Sequence, residues 1–262
     1  MSGWTWISDI YYVCWREMKR YWGQKPRIIM SIIQPLVWLV LMGNMMSGLT
    51  NNPFAARMLG VDNYIVFMTP GIMIMITLFG GVFGGVSLVW DRRIGYLNKM
   101  LSAPIWRGAI PVGKMTATAL QSIFQVLIIA LTAMVLGVRF ASGIWGLLLM
   151  LLITTLFCFA MAGISLSIAV TVKSHEALFA IINFLTMPLM FTSNAIFPVA
   201  AMPAWLKAIA IWNPLSYAVT PMRALATEGW VWEKIIPGLV VVFLFALLMV
   251  FVSNRQFKRY IA

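Results

Sequence analysis

The sequence predicts an all-α membrane protein with six transmembrane helices, an N-terminal amphipathic interfacial helix and short re-entrant helices before the last span. Three observations predict it. Hydrophobic residues make up 62% of the 262 residues and charged residues only 10%, too few to cover a water-facing surface. Asp, Glu, Lys and Arg are absent from 28–56, 63–90, 115–138, 140–172, 177–206 and 235–254, and each stretch supplies the roughly 20 residues that a membrane helix needs. The basic residues between these stretches divide unequally between the two sides of such a layout. A soluble domain and a disordered chain are excluded. The net charge of +12 reads as a positive-inside bias and attraction to anionic lipid, not as nucleic-acid binding. Two cysteines, Cys14 and Cys158, and the lone His175 exclude a disulfide framework and the usual His/Cys metal cluster.

The first 27 residues mix Trp4, Trp6, Tyr11, Tyr21 and Trp22 with basic side chains. They read as a helix in the cytoplasmic interface, anchored by its aromatics and ended by Pro26. Spans are expected at 28–48, 64–89, 115–137, 145–171, 177–197 and 235–253. With the N-terminus inside, fourteen Lys and Arg fall on the cytoplasmic side and five outside. Both termini are therefore expected in the cytoplasm of a multi-pass plasma-membrane protein. Span two carries Gly80, Gly81, Gly84 and Gly85 as overlapping small-residue repeats. A packing face within the subunit is expected there, with a subunit interface as the alternative.

Residues 198–234 are apolar but broken by Pro198, Pro203, Pro214 and Pro221. They read as two short helices that dip into the outer leaflet and return. No repeat and no linker is visible, so 1–262 reads as a single transmembrane domain.

The stretch Gly108 to Lys114 matches the start of a phosphate-binding loop, G-x-x-x-x-G-K, but Met115 stands where a magnesium-binding hydroxyl is needed. Lys114 is expected to anchor span three at the headgroups instead. No acid, base or metal-ligand set converges in the spans, which argues against an intramembrane enzyme or assembly factor. The spans hold amides, Gln34, Asn44, Gln121, Gln125, Asn183 and Asn194, expected mostly in interhelical hydrogen bonds. The cytoplasmic loop 91–114 contains an amphipathic stretch, Ile94, Leu97, Met100 and Leu101 against Arg92, Arg93, Asn98 and Lys99, bounded by Pro104. Headgroup anchoring and docking of a cytoplasmic partner are both open to it.

Two blocks resemble a known family. Asp91, Arg92, Arg93, Gly95, Tyr96, Leu97, Leu101 and Pro104 follow the pattern E-R-E-x-G-T-L-E-x-L-L-x-x-P of ABC type-2 exporter permeases. Phe197 and Pro198, then Trp205, Trp212, Asn213, Pro214, Tyr217 and Arg223, resemble that family's F-P, P-x-W and N-P-L-x-Y…R block. Arg93 and Asn98 replace acidic positions and Tyr96 a small hydroxyl, so this loop is more basic than the pattern. The closest likeness is to drug-export permeases of the daunorubicin-resistance kind. The resemblance implies no nucleotide site, metal or cofactor in this chain. ATP and magnesium belong to a separate cytoplasmic ABC ATPase, and a second copy or a homologous permease completes the path. It also implies that 198–228 are re-entrant helices closing the outer end.

The expected function is ATP-driven export of lipophilic or drug-like compounds, with a lipid-linked saccharide or polysaccharide as the alternative substrate. Residues 91–101 are expected to couple ATPase motion to spans two and three, with Leu97 and Leu101 filling a partner groove. With no charge in any span, the path is expected to lack a fixed counter-ion and to lie between two permeases. Its expected lining is spans one, two and five, with Gln34, Met42, Asn44, Asn183, Met187 and Met190. Trp205 and Trp212 are expected to cover the outer cap.

Overall fold

The computed structural model describes residues 4–50, 64–172, 174–196, 199 and 202–261. Phe197 and Pro198 of the expected cap lie outside the described residues. Among these residues the chain is helical throughout, with no strand. The helices are α1 (Trp4–Gly23), α2 (Lys25–Thr50), α3 (Tyr64–Phe83), α4 (Val86–Arg93), α5 (Tyr96–Ser102), α6 (Ala109–Val135), α7 (Gly143–Thr171), α8 (His175–Phe191), α9 (Ala204–Trp212), α10 (Pro214–Thr227) and α11 (Trp232–Ile261).

Five of them are long and apolar enough to cross a membrane: α2, α3 continued by α4, α6, α7 and α11. The expected fifth span differs. Helix α8 has 17 residues, a rise of about 25 Å against a hydrocarbon core of about 30 Å. It stops at Phe191 because its last carbonyls find other partners. The Asn213 amide donates to Leu189 O at 2.7 Å and to the Thr192 hydroxyl at 2.9 Å, so the chain turns without leaving those groups unsatisfied.

Span two is also not one rod. It breaks at Gly84 and Gly85 between α3 and α4. Ser165 of α7 occupies the break: it accepts from Gly85 N at 3.0 Å and donates to Val82 O. A Cβ on Gly81 would lie 2.7 Å from Met161 Cβ, one on Gly85 2.5 Å from Ser165 O, and one on Gly80 2.7 Å from Ser122 Oγ. The small-residue repeat is therefore a packing face within the subunit, against α7 and α6.

Helix α7 is the centre of the bundle. It is flanked by α3, α6 and α11, and α10 packs into the same core through Leu215, Ala218, Val219, Met222 and Leu225. The α6–α7 loop is tied to α10 by Ala141 N to Ala226 O at 3.0 Å and Ser142 N to Leu225 O at 3.2 Å. Helices α2 and α8 stand at the periphery, with apolar outer faces such as Met30, Leu41, Phe184 and Met187 exposed.

Helix α1 buries Val13, Cys14, Glu17 and Tyr21 and exposes Ile7, Tyr11, Tyr12 and Trp15. The buried set recurs every three to four residues, so one stripe of α1 lies on α6. A Cβ on Gly113 would lie 2.7 Å from Val13 Cβ, which makes that glycine the point of closest approach. The first helix ends at Gly23, with the break at Gln24 before Pro26, which has no N–H to continue α1. Pro26 is the second residue of α2, a first-turn position where its missing N–H costs nothing.

Candidate functional site

Two features converge at the end of the bundle formed by α1, α4 and α5, the end the charge bias leads one to expect inside and so labelled the inner end: a buried ion cluster and the mouth of a cavity. The cluster joins elements far apart in sequence. Lys114 Nζ lies 2.6 Å from Asp91 Oδ2 and 2.7 Å from Glu17 Oε1, and donates to Ser87 Oγ at 3.1 Å. Lys114 is 1% exposed and Asp91 0%. Arg16 forms two hydrogen bonds to Asp91, at 2.7 and 3.1 Å, and one to Glu17 at 3.0 Å. Arg20 reaches Asp91 Oδ1 at 3.3 Å. Burial works against the Arg16 charge, but its bonds and attraction to Asp91, then Glu17, outweigh this and raise its pKa. The guanidinium also lies 3.7 Å over the Tyr96 ring, tying α1 to α5.

This overturns the expectation that Lys114 reaches the headgroups. It is locked inside by Asp91 and Glu17, two carboxylates that it shares with Arg16. The motif ending at Lys114 is no phosphate loop either. Gly108 has φ −68 and the helix begins at Ala109, so the stretch is the first turns of α6.

The coupling residues separate into two faces. Asp91, Leu97 and Met100 are buried, while Arg93, Ile94, Asn98 and Lys99 are exposed. Leu97, at 2% exposure, belongs to the core and cannot fill a partner's groove from there. Leu101 is half-buried, and Pro104 is exposed after α5. Gly95 has φ +72, a left-handed conformation that favours glycine, and stands at the N-cap of α5. Arg92 donates to Val172 O at 2.9 Å, Ala169 O at 2.9 Å and Val170 O at 3.1 Å. It thereby satisfies carbonyls at the C-terminus of α7. His175 of the neighbouring turn faces the Trp90 ring at 5.4 Å.

The cavity, about 930 Å³, runs from this cluster toward the outer end between α2, α3, α6 and α8. Its wall includes Gln34, Trp38, Met75, Phe79, Gln121 and Met190. Of the expected path residues, Gln34 and Met190 are on it. Met42 is packed half-buried beside the core, and Asn44 is exposed and bonded to Val40 O of its own helix at 2.8 Å. Asn183 and Met187 are on the exposed outer face of α8. Span three was missing from the expected lining, although Gln121 and Gln125 of α6 are on the wall. The cavity also carries fixed charge, outside the spans' apolar runs: Glu17, Arg20, Arg27 and Lys114 all line its inner end. The cluster escapes sequence reading because Glu17 and Lys114 are 97 residues apart. The one usable signal is an acid, Glu17, on the same stripe as Val13 and Tyr21.

At the outer end, the cap residues also divide. Asn213 caps α10 by accepting from Leu215 N at 2.8 Å, and Pro214 follows in the first turn. Half-buried Arg223 donates to Phe67 O at 3.3 Å, Asn194 O at 2.9 Å and Ala195 O at 3.2 Å, with its guanidinium 3.8 Å over the Phe67 ring. Tyr217 is half-buried against α11. Trp205 and Trp212, 66% and 85% exposed, cover nothing within one chain.

Residues 8–226 match the family described as ABC-2 type transporter. The chain is 32% identical over 218 residues to a putative transport permease ycf38 of Porphyra purpurea, covering 83% of this chain and 73% of that one. It is 26% identical over 246 residues to the daunorubicin resistance ABC transporter permease DrrB1 of Streptomyces coeruleorubidus, covering 91% and 84%. To the probable multidrug ABC transporter permease YbhR of Escherichia coli K12 it is 24% identical over 192 residues, covering 68% and 50%. The cavity flanked by apolar helices, the buried inner cluster and these matches agree: the chain belongs to the ABC-2 type transporter family and is a membrane-spanning permease subunit.

Proposed function

We propose that this permease moves lipophilic, drug-like compounds out of the cytoplasm or inner leaflet, driven by a separate ABC ATPase on its inner face. The cavity carries the reading: about 930 Å³ is within the range of small-molecule sites, and it lies between helices rather than in a closed core. Its two flanking helices, α2 and α8, keep apolar outer faces exposed, so a second permease, identical or homologous, completes the conduit across them. ATP and magnesium act in the partner. Both termini face the cytoplasm of the plasma membrane in this reading.

The coupling surface is the outer face of α4 and α5, with Arg93, Ile94, Asn98 and Lys99. A push there is transmitted through Asp91 to α1 and α6, and through Arg92 to α7, as rigid levers. The test is co-purification of the chain with a cytoplasmic ATPase and ATP-dependent transport of lipophilic dyes by vesicles holding both. Transport without any ATPase subunit overturns the reading.

A further inference from the structure

The charged groups of the cavity are not spread along it, whereas the amides Gln34, Gln121 and Gln125 are. Apolar and aromatic groups line it as well: Trp38, Met75 and Phe79 farther along α2 and α3, and the Phe83 and Phe179 pair nearer the cluster. Its charged groups are all at the inner end, and Glu17 is the only acid on the wall among the described residues. The charges there do not balance. Asp91 Oδ1 accepts Arg16 at 2.7 Å and Arg20 at 3.3 Å, and Asp91 Oδ2 accepts Lys114 at 2.6 Å. Glu17 Oε1 takes Lys114 and Arg16. Two carboxylates thus serve three cations, and Arg20 holds the longest of these bonds. Arg27 adds a further cation, exposed at the mouth and bonded to Gln24 Oε1 at 3.3 Å, with no carboxylate in ion-pair range among the described residues. The mouth therefore carries an excess of two positive charges and guanidinium donors that the protein does not use. Low-dielectric walls strengthen the field of such an excess, and guanidinium forks match phosphate and carboxylate oxygens.

We propose that the cavity takes an amphiphile, with an anionic head group on Arg20 and Arg27 and an apolar body along Trp38, Phe79 and Phe83. The head then lies at the depth of α1, so the molecule has the same polarity as a lipid of the inner leaflet. A cationic head meets repulsion at the same place. The substrate role of this amphiphile rests on the export reading above; the binding site does not.

The full permease with its ATPase, in nanodiscs of uncharged-net phosphatidylcholine, is titrated with three fluorescent alkyl chains that differ only in the head: phosphate, glycol and trimethylammonium. Inorganic phosphate is the fourth probe. The alkyl phosphate is expected to bind at least about tenfold more tightly than the trimethylammonium chain, and Arg27→Gln to weaken it about tenfold with little change for the glycol. Arg27→Lys should retain most of the affinity. Arg27 is exposed, so its replacement leaves the buried cluster intact; Arg20→Gln serves as the second variant. Equal or tighter binding of the ammonium chain overturns the proposal, as does unchanged alkyl-phosphate affinity in both variants. Displacement of the chain by inorganic phosphate at millimolar concentration also overturns it, since the site would then hold a free anion. In vesicles, head-selective binding without ATP-driven movement of the probe leaves the site standing and sinks the export reading. ATP-driven movement without head selectivity does the reverse.

Discussion

Lys114 and Arg223 are two cations held inside the same bundle by opposite means. Lys114, at the inner end, pairs with Glu17 and Asp91. Arg223, toward the outer end, has no carboxylate in ion-pair range among the described residues and bonds three backbone carbonyls instead. The difference follows from what each joins. The inner cluster ties three separate helices, α1, α4 and α6, where side chains from complete helices meet. The outer arginine serves a place where helices end, and carbonyls after α8 lack helical partners. The inner end is thus tied by charge and the outer end by repair of broken backbone.

The largest expected effect tests the inner tie. Lys114→Ala leaves Asp91 and Glu17 facing only Arg16 and Arg20 in a buried site, at a cost of about 3–5 kcal/mol. Detergent-solubilised protein should lose its cooperative thermal transition or show it at a much lower temperature. Lys114→Met combined with Asp91→Asn should recover part of that loss, because the buried carboxylate oxygen that loses its ammonium partner at 2.6 Å is removed with it. A double variant no better than the single one would show that the cluster contributes by shape and not by charge.

Arg223→Met should cost less, about 2–3 kcal/mol, because waters at a half-buried site can take over some of the carbonyls. Thermal unfolding reads the loss, and high salt is the control for both sites. Salt screens exposed charge and reaches buried pairs poorly, so neither loss should be reproduced in the wild-type chain by salt alone.

Gly85→Ala should cost about 1–3 kcal/mol. The new Cβ would lie 2.5 Å from Ser165 O, which is backbone of the central helix and yields little. Adding Ser165→Ala removes the contact with Ser165 Oγ but leaves the one with its carbonyl, so it should rescue little.

These sites also show what the sequence could and could not announce. Apolar length located α2, α6, α7 and α11, because each is a long run without charge. The break at Gly84 and Gly85 was invisible in composition: the run is apolar on both sides, and what opens the helix is Ser165, eighty residues away. The glycine repeat pointed to close packing but could not name the partner. The cavity lining was read from spans one, two and five, and α6 was missed because Gln121 and Gln125 looked like ordinary packing amides. Gln125 does bond Ser31 at 2.8 Å, so that reading held for contact and failed for position. Arg20 and Arg27 were counted only as positive-inside charge, since nothing local separates a cation at the headgroups from one at a cavity mouth.

The smallest effect on stability is expected at the exposed turn between α4 and α5, and it sharpens the contrast between tie and docking surface. Ile94 is 57% exposed and Leu97 2%, three residues apart in one loop that reads as a single amphipathic stretch. Leu97→Asp places a carboxylate in the core and should unfold this end, so any loss of ATPase binding there would say nothing about docking. Ile94→Asp changes the surface alone and should move stability by less than about 0.5 kcal/mol. If α4 and α5 present the partner surface, the same change should still lower recovery of the ATPase on the permease, because a desolvated charge opposes apolar contact. Thermal unfolding of the permease and co-purification measured on one preparation separate the two quantities. A chain that keeps both its melting temperature and its partner after Ile94→Asp would move the docking surface away from this face, while leaving the ion cluster behind it as the structural tie of the inner end.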